Sequence, residues 1–110
     1  MEEQAGRWHA VLKESEVPDG DPVPCSIDDV EIAIYRVDDE YFATSNICTH
    51  AQALLSDGFL DGHLIECPIH GACFDIRTGK AMTSPAEIDL ETFPTRVRGG
   101  SIEVLIPARP

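Results

Sequence analysis

Four residues of this 110-residue chain stand in two matched pairs. Cys48-Thr49-His50 and Cys67-Pro68-Ile69-His70 each supply one sulfur and one imidazole, and sixteen residues separate the pairs. Unrelated core residues are a poor account of this, since chance would have to set four ligand-type side chains in a C-x-H and a C-x-x-H arm. Mixed sulfur and nitrogen donors suit a transition-metal centre. One such centre is structural zinc held by two cysteines and two histidines. Zinc arms usually separate their ligands by two or more residues, and Cys48-x-His50 is short for that. The other is a [2Fe–2S] cluster in which two histidines replace two cysteines on one iron. The short arm favours the cluster.

Ligands on separate loops need a frame that brings them together, and the frame reads as all-β. Trp8–Leu12 reads as a first strand, followed by the acidic turn Val17–Asp21. Val30–Val37 alternates apolar and polar as far as Ile34, the pattern of a half-buried strand. Asp38-Asp39-Glu40 turns it into Tyr41–Thr44. Phe59-Leu60 and His63–Glu66 flank Asp61-Gly62, a dipeptide that a type I′ hairpin favours. Phe93, Thr95 and Val97 alternate with polar or ring-locked neighbours; Gly99-Gly100 turns, and Ile102, Val104 and Ile106 return. No sustained 3.6-residue period appears, and the best helical candidate is one turn near Lys13–Glu16. The stretches 45–56 and 67–73 break the strand pattern, and long loops in small domains carry function. The 58–66 hairpin between them would bring both to one end of a sheet.

The motif pair resembles the signature of Rieske proteins, nearest the small bacterial ferredoxins that serve aromatic-ring-hydroxylating oxygenases. Supporting segments fall in order: Leu55-Ser56-Asp57-Gly58, Phe74-Asp75-Ile76, Thr78-Gly79-Lys80-Ala81 and Ser84-Pro85-Ala86, the last resembling a proline loop over the cluster. The chain departs at Ala51-Gln52-Ala53, where glycine is common, and at Cys73. The resemblance implies a Rieske fold of short antiparallel strands in small stacked sheets, with two cluster-binding loops at one tip. It implies one domain over residues 1–110, with its cluster-binding part at about 44–86. It implies one Rieske [2Fe–2S] cluster per chain, Cys48 and Cys67 on the inner iron and His50 and His70 on the outer. Two thiolates fewer than in a four-cysteine cluster make the added electron less costly, so histidine ligation raises the potential. High-potential relatives carry two further cysteines joined as a disulfide and donate Ser and Tyr hydroxyls to sulfur. Those places hold Ala53, Ile69, Ala72 and Phe74 here.

Acidic residues number 20 against 8 Lys and Arg, a net charge of −12. Such a surface repels phosphate backbones, so nucleic acid is not an expected partner. No apolar run approaches the roughly 18 residues that cross a bilayer, and the N-terminus is acidic rather than a basic and apolar leader. A cytoplasmic monomer without membrane attachment is expected. The stretches 44–56, 67–74 and 81–86 hold no Asp, Glu, Lys or Arg. They should form a neutral tip ringed by Asp57, Asp61, Glu66, Asp75 and Glu87, suited to brief docking. His9 and His63 read as ordinary surface or edge histidines, Cys25 as a structural free thiol and Cys73 as a small buried packing residue.

The expected function is that of a non-catalytic electron carrier. It would pass single electrons from a flavin-dependent NAD(P)H reductase to a terminal Rieske oxygenase. An oxygenase subunit would also need a mononuclear iron site, for which only His9 and His63 remain. A Rieske-like small subunit of another oxidoreductase such as nitrite reductase, or a zinc-stabilised interaction module, are the alternatives.

Overall fold

The computed structural model describes residues 6–49, 53–69, 71–83 and 88–107. His50, His70 and the 84–87 segment lie outside the described residues. In chain order come β1 (Arg7–Lys13), a 3₁₀ turn (Glu14–Glu16), β2 (Val23–Ile27), β3 (Val30–Val37) and β4 (Glu40–Ser45). A second 3₁₀ turn (Leu55–Asp57) precedes β5 (Phe59–Asp61), β6 (Leu64–Glu66) and β7 (Cys73–Asp75). The chain closes with β8 (Thr92–Phe93), β9 (Thr95–Arg98) and β10 (Ser101–Ile106). The all-β expectation holds, and the first 3₁₀ turn falls where the sequence placed its best helical candidate.

Three antiparallel sheets form, ordered β1-β10-β9, β2-β3-β4-β8 and β5-β6-β7. The first two face each other across a core of Val17, Ile32, Ile34, Phe93, Ile102 and Val104. The third carries the second ligand loop between β6 and β7, while the first loop follows β4 of the second sheet. The third sheet packs on a second core with Ala33, Tyr35, Leu55, Ile65, Phe74 and Ile76. Strand β3 therefore lies between two cores. Ile32 and Ile34 face one, Ala33 and Tyr35 the other, and all four have no exposed surface. This corrects the half-buried reading of β3: its second face is covered by a sheet formed more than twenty residues later. The Tyr35 hydroxyl tolerates that burial because it shares a 2.9 Å hydrogen bond with Thr44 Oγ1.

Turn chemistry sets the strand registers. Asp28-Asp29 and Asp38-Asp39 both have positive φ at each residue, as do Gly99 and Gly100. Each pair joins strands paired at its flanks, which is type I′ behaviour, and Asp tolerates the left-handed region better than most residues. The 59–66 hairpin differs from expectation. Asp61 pairs with Leu64, so Gly62 and His63 form the turn, and only Gly62 has positive φ. That is the type II′ arrangement. Strand β2 was not evident from the sequence, because Pro24 interrupts its apolar residues; as a sheet edge it tolerates a proline. Gly79 pins the third sheet to the base. Its φ is +81°, a Cβ there would overlap the Leu90 carbonyl oxygen, and the Leu90 N–H donates to Gly79 O at 2.7 Å.

Candidate metal centre

The two ligand loops begin alike. The Cys48 N–H donates to the Ala53 carbonyl at 3.0 Å, and the Cys67 N–H to the Ala72 carbonyl at 2.7 Å. Each cysteine is thus tied to the residue five positions on. Both side chains are buried, in the core that also holds Tyr35, Leu55, Ile65 and Phe74. The Cys48 side chain and the Ile69 N–H both lie close enough to Cys67 to shift its titration. Burial pushes the Cys67 thiol up; the Ile69 N–H opposes this, while the neighbouring Cys48 adds to it. Two adjacent sulfurs in an apolar hollow are a poor place for free thiolates and a good one for a cationic metal, which deprotonates the thiols it binds. An N–H aimed at sulfur fits a thiolate acceptor. The donors present therefore fit iron of an iron–sulfur cluster.

His50 and His70 follow these cysteines on the same two loops but lie outside the described residues. The flanks of the 84–87 segment are fastened to both loops. Thr49 Oγ1, between the two residues of the first arm, donates to the Ile88 carbonyl at 2.6 Å. Beyond the second arm, the Cys73 N–H donates to Thr83 Oγ1 at 3.0 Å and the Met82 N–H to the Cys73 carbonyl at 2.8 Å. Asp89 Oδ1 accepts the Ala81 N–H at 2.9 Å and closes the base of that segment.

The uncharged tip is apolar at its surface. Among the described residues Ile47, Leu54, Ile69, Met82 and Ile88 are exposed large hydrophobics, and all lie on the uncharged stretches or just beyond them. The acidic surround needs correcting. Asp57 and Glu66 are exposed beside the loops, but Asp61 stands at the turn end of its hairpin, away from Cys67. Asp75 is buried and bound by Arg77 through two side-chain hydrogen bonds of 3.1 and 3.0 Å, so it is no part of an exposed ring. Glu87 lies outside the described residues. Folding brings other acids into place: Asp28, Asp29, Glu31 and Glu91 line a cleft with Ser45 and Ile47. No local signal marks these, because the register of β3 on β4 sets them there.

The remaining candidates stand apart. Cys25 pairs with Ile32 across β2 and β3, is half-buried, and its pKa is pushed up to about 11, first by burial and then by Glu31. Cys73 is half-buried rather than buried, its sulfur 3.6 Å from the Gly71 carbonyl oxygen. The His63 ring meets Phe42 edge-on at 5.5 Å, and His9 pairs with Val104 on β1. Among the described residues no group of three or more His, Cys, Asp or Glu is arranged to hold a metal, and no helix is long and apolar enough to cross a membrane.

Residues 7–94 match the family model of the Rieske [2Fe–2S] domain. The chain belongs to that family. It is 38% identical, over 89% of its length and 94% of the relative's, to the ferredoxin component of the naphthalene 1,2-dioxygenase system of Pseudomonas aeruginosa. The solved structure of Sphingomonas yanoikuyae B1 ferredoxin superposes with a TM-score of 0.87 at 39% identity, covering 92% of this chain and 100% of that one. A ferredoxin chain from a complex of reduced oxygenase and oxidized ferredoxin in carbazole 1,9a-dioxygenase gives 0.84 at 37%, covering 89% and 92%. The cofactor is accordingly a Rieske-type [2Fe–2S] cluster, not structural zinc, and the Rieske chain is an electron carrier rather than a catalyst.

Proposed function

We propose that Cys48, His50, Cys67 and His70 ligate one cluster per chain. We further propose that the protein, as a cytoplasmic monomer, carries single electrons from a flavin-dependent NAD(P)H reductase to a terminal ring-hydroxylating oxygenase. Bound by these four residues, the cluster would supply one-electron redox chemistry. The observation that carries the reading is the buried sulfur pair beneath an uncharged tip of exposed aliphatic side chains.

A shuttle meets two partners in turn and must leave each quickly, which a small apolar contact permits. Ile47, Leu54 and Ile69 provide such a contact at the loops themselves. Exposed Asp57 and Glu66, with the Asp28–Glu31 cleft beside Ile47, add negative charge near it. Complementary basic rims on both partners would then speed encounter without slowing release.

The test has two stages. The purified chain should contain about two irons and two acid-labile sulfides and no stoichiometric zinc. Stopped-flow mixing should then show NADH-driven reduction through a flavoprotein reductase, followed by reoxidation on adding an aromatic-ring oxygenase of a ferredoxin-dependent system. One zinc per chain and no iron would remove the ligand assignment. An intact cluster that every such oxygenase left reduced would remove the partner assignment and promote service to another oxidoreductase.

A further inference from the structure

Asn46 is a polar side chain with no exposed surface, placed two residues before the first cysteine of the metal site. Burying an amide is costly unless all its groups are met, and here they are met by a single residue on the far side of the loop. Asn46 Oδ1 accepts the Ser56 N–H at 2.8 Å, and its Nδ2 donates to Ser56 Oγ at 3.0 Å. The backbone repeats the connection: the Leu55 N–H donates to the Asn46 carbonyl at 2.8 Å. On its other side the Asn46 N–H donates to the Glu31 carbonyl at 2.9 Å, which ties the same residue to β3. Inside this neck, Ile47 and Leu54 form an isolated bridge and Cys48 is bonded to Ala53. The two ends of the first ligand loop are therefore closed on each other and tied to β3 through one buried asparagine.

We propose that Asn46 is a positioning residue for the cluster. With Ser56 it closes the neck of the first ligand loop and holds Cys48 in place for metal binding. The proposal rests on the ligand assignment above. The core could fill this position with an aliphatic side chain of similar size, as it does at Leu55 and Ile65. A leucine would satisfy burial but would leave the Ser56 N–H without its side-chain acceptor and the two ends of the loop joined by backbone alone. Side chains that orient ligands from outside the coordination sphere typically change metal affinity by roughly 10–100-fold when removed.

The experiment uses holoprotein and three readouts: bleaching rate in excess iron chelator, line width of the reduced cluster by electron paramagnetic resonance, and thermal stability. Asn46→Leu and Ser56→Ala should each bleach about tenfold faster than wild type and broaden the resonance, as the first loop samples several geometries. Ser56→Thr, which keeps the hydroxyl, should restore narrow lines. Val104→Ala supplies the comparison, since it removes methyl groups from the other core, away from both loops. It should lower thermal stability while leaving bleaching rate and line width unchanged. Should Asn46→Leu fail to fold, Ser56→Ala carries the test alone, because it leaves the backbone closure intact. Bleaching and line width that follow thermal stability alone, Val104→Ala included, would reduce Asn46 to an ordinary core residue. The ligand assignment fails separately, and visibly, if Cys48→Ser keeps wild-type iron content and spectrum.

Discussion

Phe74→Tyr changes one atom in a fully buried side chain on β7, in the same packed core as Cys48 and Cys67. In high-potential members of the family a tyrosine at this place and a serine where Ala72 stands here donate their hydroxyls to cluster and ligand sulfur. Both of these positions are apolar and without exposed surface in this chain. A donor to sulfur stabilises the more negative, reduced state, so its absence keeps the potential low. Rieske centres span about −150 to +300 mV, and a midpoint on the order of −150 to −100 mV is expected for this chain. A net hydrogen bond contributes about 1 kcal/mol. With ~1.4 kcal/mol and ~59 mV both corresponding to a factor of ten for one electron, the new bond should raise the midpoint by roughly 40 mV. Should the hydroxyl find no sulfur, it becomes an unmet polar group in an apolar core and destabilises the fold by about 1–3 kcal/mol. Voltammetry and denaturant melting on the same preparation separate the outcomes. A midpoint unmoved within a few millivolts, together with a stability loss of that size, would refute the hydrogen-bond argument. A wild-type midpoint above zero would refute the low starting point.

Cys67→Ser should lose the visible spectrum, whereas Cys25→Ser should leave it unchanged, since Cys25 lies on β2 with its thiol held protonated by burial; absorbance and iron content decide both. Electron transfer to an oxygenase should slow as ionic strength rises, because exposed acids around the tip steer the encounter. Rates flat from low to high salt would assign the contact to Ile47, Leu54 and Ile69 alone. The Asp75 carboxyl is held below the ordinary carboxylate range, first by its hydrogen bond from the Arg77 side chain. A lowered folded pKa contributes stability above the unfolded value of about 3.9, and that contribution is lost as pH falls through the folded value. Asp75→Asn should therefore cost stability at pH 7 and flatten its pH dependence below about 4; equal melting curves at pH 7 would deny the pair any such role.

The metal chemistry of this protein was legible in the sequence because ligand spacing is a local property. The spacing of Cys48, His50, Cys67 and His70 points to a sulfur–nitrogen centre by type and interval alone, with these four proposed as its ligands, and the turns at Asp38-Asp39 and Gly99-Gly100 announce hairpins by residue chemistry. The alternation of Ile102, Val104 and Ile106 likewise showed which face of β10 is buried. Pairings between distant segments carry no such signature. That β1 joins β10, the two ends of the described chain, follows from which apolar faces can cover each other in three dimensions. The same packing buries both faces of β3 and draws Asp75 inward onto Arg77. It carries the Asp28–Glu31 turn up beside Ile47. Asn46 shows the division most plainly. In the sequence it is a polar residue two positions before a cysteine. Only when Ser56 returns to meet it does burial make its amide groups obligatory partners, because water is no longer there to satisfy them.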